Sequence, residues 1–514
     1  MNREEMIKTL DREWDIIIVG GGATGLGAAV DAAARGYKTL LLEQDDFAKA
    51  TSSRSTKLIH GGLRYLQQGN IGLVTEALRE RGLLTQNAPH LVHPLPFLVP
   101  LYHWWEGPFY GIGLKVYDLL AGELGIESSR HLSRKQTLLA IPNIEREGLR
   151  GGSLYYDGQF DDARLAITLA QTAVDQGATV LNYMQVTSFL KKKEKIVGVR
   201  ATDLESGAHY HLHAKVVINA TGIFTDQLRK IDYKKAERMM EPSQGVHLVL
   251  PASFMPSKTA ILVPHTEDKR VIFLVPWHGR LLVGTTDTPV KKASLEPAPL
   301  KTEIDFLLKH AARYLEKDPT REDILSISTG LRPLVRAPGK TTAALSRDHV
   351  ISVSKSGLVT IAGGKWTTYR KMAEDVINKS IAVGHLPSRT CVTANLHLHG
   401  YQKGVDPADH WSFYGSDAAQ IQRLIRQNKK LGQTIAEHLP YTAAEVVWAV
   451  RQEMARSVED ILARRTRTLF LDAKSALTAA PAVARILKSE LKKSAAWESK
   501  QIKEFRRVAQ NYLP

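Results

Sequence analysis

The clearest pattern near the start of the chain is an apolar run, a glycine group and an alanine-rich stretch, in that order. The run DIIIVG at 15–20 predicts a buried strand, because β-branched residues dominate it. Thr24–Arg35 predicts a helix that ends at Gly36. The run KTLLLE at 38–43 predicts a second strand, so these elements form one βαβ unit.

Later segments repeat strand and helix patterns until about residue 390. VIFLVPWHGRLLVGTT at 271–286 and HVISVSKSGLVTIAGG at 349–364 each predict a β-hairpin. Asp162–Asp175 predicts a helix, and KWTTYRKMAEDVINKSI predicts another directly after the second hairpin. Beyond residue 390 strand signals vanish, and 442–465 predicts one long amphipathic helix. The pattern is that of an α/β protein with a helical C-terminal part.

Composition limits the class of protein. The 514 residues suggest about two to four domains, and 43% hydrophobic residues are enough for a sizeable core. Cys391 is the only cysteine, which excludes an intrachain disulfide and a cysteine metal site and favours a reducing compartment. The N-terminal stretch lacks a signal peptide's apolar region, and no run is long enough to predict a transmembrane helix. Histidine spacing predicts no metal site.

The chain carries a net charge of +16. Residues 389–514 contribute half of it, with 20 Lys and Arg against 12 Asp and Glu. Such an excess indicates an acidic partner or surface. A nucleic acid, an anionic membrane and a merely solvated basic face all remain open at this point.

The glycine group within the βαβ unit has the spacing of a dinucleotide site. Gly20, Gly22 and Gly25 form G-x-G-x-x-G, with Gly21 in the same turn. The first glycine allows the tight turn, the second a close approach of the pyrophosphate, and the third helix packing. Glu43 ends the next strand and is placed to bind a ribose. The pattern alone does not choose between NAD and FAD.

Six motifs in order carry a resemblance to a known family. They are GGGATGLGAAVDAAARGYKTLLLE, ATSSRSTKLIHGGLRYL, INATGIFTD, GTTDTP, STGLRPL and AGGKWTTYR. Together they resemble the FAD-dependent glycerol-3-phosphate dehydrogenases, within the D-amino-acid-oxidase-like flavoenzymes. The C-terminal segment EVVWAVRQEMARSVEDILARRTRTLFLD resembles that family's helical cap. The resemblance covers about residues 14–475.

The resemblance implies an α/β + α fold. A Rossmann-like FAD-binding domain is interleaved with an α+β substrate domain, and a helical cap domain follows. The expected ranges are 14–85, 152–225 and 333–388 for the FAD-binding domain, 86–151 and 226–332 for the substrate domain, and 389–514 for the cap.

The polar stretch 51–65 is expected to wrap the flavin. Its hydroxyl groups suit phosphate and ribityl oxygens, Lys57 would balance negative charge, and Gly61 would let the backbone approach the ring. Arg54 is expected at the surface. FAD is expected to be bound non-covalently, because Cys391 lies far from this stretch. The expected FAD-binding residues are Gly20, Gly21, Gly22, Gly25, Glu43, Thr51, Ser52, Ser53, Thr56, Lys57, His60, Gly61, Val186, Thr221, Gly222, Gly364, Lys365 and Thr367.

The family resemblance also implies a substrate site. Arginines suit a dianionic phosphate, because the guanidinium presents a fork of donors. The expected substrate-binding residues are Arg64, Tyr65, Arg332, Arg347 and Lys365. Lys365, or a helix N-terminus beside it, would also stabilise the anionic reduced flavin.

His247 is the expected general base for the C2 hydroxyl of glycerol 3-phosphate, because histidine titrates near neutral pH. Arg332 is the second expected catalytic residue. If His247 is only structural, Arg332 would stabilise the alkoxide and solvent would take the proton.

The resemblance implies a quinone as electron acceptor, with oxygen as the alternative. Residues 94–120 carry Trp104, Trp105, Phe109, Tyr110 and Tyr117, and aromatic residues of this kind favour a membrane interface. Together with the basic C-terminal quarter they predict peripheral attachment to an anionic membrane, at the cytoplasmic face of the cell membrane. The oligomeric state is open, with a homodimer as one expectation.

Two other functions are consistent with the same pattern. One is a 2-hydroxy-acid or amino-acid oxidoreductase of the same fold, which would need a carboxylate clamp instead of a phosphate clamp. The other is a basic flavoprotein acting on nucleic acid, which predicts salt-sensitive binding. The cap lacks interleaved aromatic and basic residues, so no nucleic-acid partner is expected.

Overall fold

A computed structural model describes residues 1–67, 69–264, 266–267, 270–336 and 348–514, with the backbone only of Arg64 and Gln67. Arg347, an expected substrate ligand, lies outside the described residues.

Strands and helices are numbered along the chain. The strands are β1 (Trp14–Val19), β2 (Thr39–Leu42), β3 (Leu58–Ile59), β4 (Val92–Leu101), β5 (Arg130–Ser133), β6 (Gly151–Phe160), β7 (Thr179–Leu181), β8 (Met184–Lys192), β9 (Lys195–Asp203), β10 (His209–Asn219), β11 (Ser243–Pro251), β12 (Ala260–Val263), β13 (Ile272–Trp277), β14 (Arg280–Gly284), β15 (Thr288–Pro289), β16 (Ser326–Arg332), β17 (His349–Val353) and β18 (Val359–Gly363). The helices are α1 (Arg3–Lys8), α2 (Ala23–Ala34), α3 (Leu63–Gln67), α4 (Ile71–Asn87), α5 (Glu106–Ala121), α6 (Arg134–Ala140), α7 (Asp162–Asp175), α8 (Thr225–Asp232), α9 (Lys301–Ala312), α10 (Tyr369–Val383), α11 (Ala418–Gln427), α12 (Ala443–Gln452), α13 (Thr468–Leu471), α14 (Ala473–Glu490) and α15 (Ala495–Ala509).

The first sheet has a parallel centre and contains the predicted βαβ unit. Its strand order is β17-β18-β10-β1-β2-β7, with β8 and β9 extending antiparallel from β10. Strands β18, β10, β1, β2 and β7 run parallel, and α2 packs against α7 and α10. Ile16, Ile17 and Ile18 are fully buried, as a strand covered on both faces requires. The prediction of a Rossmann-like sheet is confirmed.

The second sheet is mostly antiparallel, with the order β15-β11-β14-β13-β12-β4-β6-β3. Strand β16 pairs with β11, and β5 pairs with β6. Apolar side chains from one face, among them Val246, Leu248 and Val283, form a core with Ile304 and Leu307 of α9. Since side chains alternate along a strand, the intervening positions point to the opposite face.

The pairing of β6 bears on the expected domain boundaries. This strand pairs with β4 along its whole length in the second sheet. The expected boundary at residue 152 therefore falls inside a strand of the second sheet. The chain returns to the first sheet only at β7, after α7.

The C-terminal part is helical, as predicted, but 442–465 is not one helix. Helix α12 ends at Gln452, Met454 has a positive φ of 54°, and a π-helical turn spans Asp460–Arg465. Buried ion pairs explain the break. Glu453, which is fully buried, pairs with Arg164 of α7 at 2.8 Å, so contacts with the first sheet's helices override the local helical pattern.

The aromatic-rich segment 94–120 divides into β4 and the exposed helix α5. Apolar side chains at helical spacing face solvent along α5 and in the residues just before it. Leu119 on the helix is 80% exposed, and Trp104 before the helix is 76% exposed. The others are Trp105, Phe109, Ile112 and Val116. Tyr110 and Tyr117, expected at the membrane, are instead buried, because they form the inner face of α5. The Tyr117 hydroxyl donates to Asp157 at 2.9 Å.

Candidate functional site

A cavity of about 420 Å³ is lined by residues of both sheets. One part of its wall comes from the βαβ unit and the ends of β2, β8 and β10. The other part comes from β11, β13, β14 and β16. We call these the dinucleotide end and the reaction end.

Backbone geometry at the dinucleotide end accepts only glycine at two positions. Gly20 has φ 114°, and a Cβ there would lie 2.6 Å from the carbonyl oxygen of Ala220. A Cβ on Gly25 would lie 1.9 Å from the oxygen of Gly20. The turn therefore brings the N-terminus of α2, which follows Gly22, to the cavity wall, where helix N–H groups favour an anion.

Glu43 closes this end of the cavity. Its carboxylate accepts hydrogen bonds from the backbone N–H groups of Gly21 at 2.6 Å and Asp45 at 2.9 Å. Burial nevertheless raises the pKa of Glu43 to about 7, against the opposing effect of these two donors. The half-buried side chain is thus an acceptor held in a fixed orientation, which suits ribose hydroxyl groups.

Part of the polar stretch 51–57 lines the cavity as expected. The Ser52 hydroxyl accepts from the N–H of Ala23, the first residue of α2, at 3.0 Å. The Thr51 hydroxyl donates to the carbonyl of Leu331 at 2.7 Å. Of the remaining expected FAD-binding residues, those that also line the cavity are Thr56, His60, Val186, Thr221, Gly222, Gly364, Lys365 and Thr367.

Ser53 and Lys57 differ from expectation, because neither contributes to the cavity wall. The Lys57 ammonium donates to Asp162 at 2.7 Å and to the carbonyl of Ser53 at 2.9 Å. Burial lowers the pKa of Lys57 to about 8. Since its charge is already paired with Asp162, the structure does not support a role in balancing phosphate charge.

Gly61 and Tyr65 are placed differently from expectation as well. The Gly61 N–H donates to the Tyr117 hydroxyl at 2.8 Å, and a Cβ on Gly61 would lie 2.6 Å from that oxygen. Packing of α5 thus explains this glycine. The Tyr65 ring lies 4.1 Å from the Lys365 ammonium, so it contacts a cavity residue without itself lining the wall.

Strand alternation places His247 at the reaction end. Its neighbours Val246 and Leu248 belong to the core beneath α9, so the imidazole points to the cavity. A Cβ on Gly284, the residue opposite His247, would lie 2.2 Å from the ring. Gly284 therefore makes room for the imidazole.

His247 is buried, which favours its neutral form. Burial lowers its pKa well below the usual value of 6.5, and the charges of Lys57 and Arg332 lower it further. Its Nε2 lies 2.9 Å from the Thr56 hydroxyl oxygen. Burial thus holds the pKa of His247 below the near-neutral value expected for histidine, and a neutral imidazole is able to accept a proton.

Arg332 lies at the end of β16 on the same cavity wall. One Nη atom donates to Asp287 at 3.3 Å, and the other donates to the Thr285 hydroxyl at 3.1 Å and the Thr286 carbonyl at 2.8 Å. A Cβ on Gly245 would lie 2.5 Å from the guanidinium. These contacts fix the guanidinium in place. They support a role for the positive charge of Arg332 better than a role as a bidentate hydrogen-bonding clamp on the substrate phosphate.

Arg54 and Phe273 are among the cavity residues that sequence reasoning missed. Arg54 is 7% exposed rather than at the surface, and its guanidinium donates to Glu296 at 2.6 Å and to the Thr329 carbonyl at 2.8 Å. Phe273 lines the wall from β13. Its position was available from the sequence, because Ile272 and Leu274 alternate with it as core residues.

The dinucleotide end fits FAD on its own geometry. It offers a turn that only glycine can form, a helix N-terminus and a half-buried carboxylate. The cavity continues from there to His247 and Arg332, so a long cofactor could bring its reactive part to the reaction end. These features define a flavin- or nicotinamide-dependent oxidoreductase.

Comparisons with known proteins resolve the class. The family model "FAD dependent oxidoreductase" matches residues 15–370, and "C-terminal domain of alpha-glycerophosphate oxidase" matches residues 359–498. The protein is therefore an FAD-dependent oxidoreductase, and FAD is its cofactor.

Curated relatives and a solved structure narrow the class to one family. The mitochondrial glycerol-3-phosphate dehydrogenase of Mesocricetus auratus is 42% identical, covering 95% of this chain and 72% of its own. That of Schizosaccharomyces pombe is 38% identical, covering 100% and 89%. The glycerol-3-phosphate dehydrogenase of Bacillus halodurans, solved with FAD, superposes with a TM-score of 0.81 at 31% identity over 100% of this chain and 98% of its own. The chain belongs to the FAD-dependent glycerol-3-phosphate dehydrogenase family, as the motifs predicted.

Proposed function

We propose that the protein oxidises sn-glycerol 3-phosphate at C2 to dihydroxyacetone phosphate and passes the electrons to a membrane quinone. FAD held at the dinucleotide end would supply the hydride-accepting chemistry. The observation that carries the proposal is the meeting of a neutral buried imidazole and a fixed guanidinium at the reaction end. Such a pair suits removal of a hydroxyl proton from an anionic substrate.

His247 is the proposed general base. Hydride loss from C2 requires that the C2 hydroxyl proton leave as well, and a neutral imidazole nitrogen is its acceptor. Because Nε2 already interacts with the Thr56 hydroxyl, the substrate proton is proposed to go to Nδ1. In that arrangement Nε2 carries a hydrogen and donates it to Thr56.

Positive charge at the reaction end is proposed to bind the substrate phosphate and to stabilise the developing alkoxide. Arg332 and Lys365 both line the cavity. Arg64 and Arg347 stay predicted ligands of the phosphate, as does Tyr65 of the substrate. Positive charge of this kind favours a phosphate dianion over a neutral substrate.

Anaerobic stopped-flow spectroscopy tests this function. Mixing with sn-glycerol 3-phosphate should bleach the flavin absorbance, whereas glycerol, lactate and alanine at equal concentration should not. Equal bleaching by lactate or alanine would replace the proposed substrate class.

Acid precipitation in the same preparation should release all yellow colour into solution, and colour retained in the pellet would contradict non-covalent binding.

The exposed face of α5 supports a membrane partner. Trp105, Phe109, Ile112 and Leu119 recur at helical spacing and face solvent, as in helices that lie in a lipid interface. Among the described residues no helix has the length and hydropathy to span a membrane. We propose peripheral attachment to the cytoplasmic face of the cell membrane through α5, with quinone reached from the lipid phase.

The cap contributes less basic surface than its composition predicts. Arg464, Arg465 and Arg467 are buried and pair with acidic side chains, so they are not accessible to lipid. The attachment is therefore proposed to depend mainly on apolar contact. Leu119→Ser should weaken sedimentation with anionic vesicles, and Leu204→Ser, which changes another exposed leucine, is the matched control.

The electron acceptor has its own test. After anaerobic reduction, a soluble quinone should reoxidise the flavin faster than air-saturated buffer does. Faster reoxidation by oxygen would make the protein an oxidase. Homodimer formation stays a prediction, and light scattering of the purified protein would test it.

A further inference from the structure

A buried carboxylate organises the polar segment 53–57 beside the cavity. Asp162, at the start of α7, is fully buried. One of its oxygens accepts from the Ser55 N–H at 2.9 Å, the Ser55 hydroxyl at 2.7 Å and the Lys57 ammonium at 2.7 Å. A single carboxylate thus holds two residues of the segment.

Arg467 of the cap completes this cluster from the other side. Its guanidinium donates to Asp162 at 3.0 Å and to the carbonyl of Ser53 at 3.0 Å. The side chain is 1% exposed and its φ is 59°. A non-glycine residue in the left-handed region is uncommon and persists where surrounding contacts fix it. The guanidinium therefore links the cap to segment 53–57 through Ser53 and to α7 through Asp162.

The segment held in this way carries the direct neighbour of the proposed base. Thr56 lies between Ser55 and Lys57, and its hydroxyl oxygen is 2.9 Å from Nε2 of His247. Both Thr56 and His247 line the cavity. A continuous set of contacts thus runs from the cap through segment 53–57 to the imidazole.

We infer that Thr56 and the cap residue Arg467 are positioning residues for His247. Thr56 fixes the ring and the nitrogen that is left to receive the proton, and Arg467 fixes the backbone that presents Thr56. The inference deepens the proposed function and rests on it, because it requires His247 to act in proton transfer. It also gives the helical cap a part in the reaction.

Thr56 variants test the direct step. Thr56→Val removes the hydroxyl at nearly equal volume, and Thr56→Ser keeps it. Because small misplacement of a reacting group costs up to about 100-fold, flavin reduction in Thr56→Val should slow by about 10- to 100-fold. Thr56→Ser should restore the rate, and all rates are compared at saturating FAD because Thr56 also lines the cavity. An unchanged rate in Thr56→Val would overturn the inference.

A double variant shows whether Thr56 acts through the imidazole. In a His247→Asn background, Thr56→Val should cost nothing more, since the group it positions is gone. A further loss of tenfold or more in that background would mean that Thr56 acts on substrate or flavin directly, and the inference would fail. If His247→Asn alone keeps the wild-type rate, the proposed general base fails instead.

Arg467→Lys tests the contribution of the cap, with Arg465→Lys as control. Both arginines are buried, and Arg465 donates to Asp46 at 2.6 Å and to the Glu453 carbonyl at 2.8 Å. In Arg467, one Nη atom donates to both Ser53 and Asp162 while the other donates to the Ala463 carbonyl. A lysine at 467 keeps the charge, but its single ammonium cannot reproduce this two-sided arrangement. Flavin reduction should slow about tenfold in Arg467→Lys and stay at the wild-type rate in Arg465→Lys. Equal rates in the two variants would remove Arg467 from the inference, and thermal melting checks that both fold.

Discussion

The two ends of the cavity are built differently. At the dinucleotide end, the turn of one βαβ unit forms part of the wall, and a Cβ on Gly20 or Gly25 would collide with a neighbouring carbonyl oxygen. At the reaction end, side chains from distant strands meet, and glycines serve only to make room for them. Cofactor binding thus depends on local chain geometry, whereas reactivity depends on the register of β11 against β14 and β16.

Burial shifts the pKa of the titratable residue at each end of the cavity, and the two shifts have opposite directions. It raises the pKa of Glu43 to about 7 and lowers that of His247 well below 6.5. In both cases burial favours the neutral form, because a charge loses its hydration there. For Glu43 this weakens the charge available to the cofactor, while for His247 it preserves a base able to accept a proton.

The largest effect should come from His247→Asn. Asparagine keeps polarity and approximate volume but cannot accept the proton. Since general-base assistance is worth about 10²–10⁴-fold, anaerobic flavin reduction should slow by that factor. The flavin spectrum and FAD affinity should not change, because His247 lies at the reaction end. A rate within about threefold of wild type, which is too little for a lost base, would make His247 structural.

Arg332→Lys should have the next largest effect. Lysine keeps the charge but cannot reproduce contacts to Asp287, Thr285 and Thr286 at once. Without these contacts the positive charge is no longer fixed in place, and misplacement of such a group costs up to about 100-fold, so the KM for glycerol 3-phosphate should rise by about 10- to 100-fold. An unchanged KM with a reduced kcat would limit Arg332 to stabilising the alkoxide. FAD affinity should be unaffected in either case.

The dinucleotide end was predictable from sequence, because its glycine spacing and flanking strands are local features. The orientation of His247 was also available, since QGVHLVL alternates apolar residues around it. The position of Lys57 could not be predicted from the sequence. Its partner Asp162 lies more than 100 residues away, and Arg467 reaches the same carboxylate from the cap.

The helical prediction for 442–465 was wrong for a related reason. Periodicity records which residues are apolar, but it does not show that Glu453 and Arg464 will be buried with partners in other elements. Tertiary ion pairs therefore determine the backbone conformation of this segment. The same limit applies to Tyr110 and Tyr117, whose aromatic character was visible in the sequence but whose direction was not.

Glu43→Gln should have a smaller effect, and at the opposite end. The carboxylate accepts from Gly21 and Asp45 with its two oxygens, whereas an amide offers one oxygen and leaves one of these donors unpaired. One N–H group left without an acceptor corresponds to about a tenfold loss of affinity, so the Kd for FAD should rise by about that factor. At saturating FAD, flavin reduction should proceed at the wild-type rate. A slower reduction step would mean that the two ends are coupled.

The smallest effect concerns pH and sharpens the contrast between the two ends. His247 accepts a proton only when neutral, and a histidine with the usual pKa of 6.5 would be half protonated at that pH. Because burial, Lys57 and Arg332 lower its pKa, the imidazole stays neutral as the pH falls through 6.5, and it becomes protonated only further down. The kcat/KM, which reports the free enzyme, should therefore lose less than about half of its value between pH 7.5 and 6.5. His247→Asn, measured in parallel, corrects for ionisation of the substrate phosphate, since any remaining pH dependence there cannot come from His247. If wild type loses about half or more of its corrected kcat/KM by pH 6.5, then His247 titrates as an ordinary exposed histidine and the reaction end is more hydrated than this structure implies.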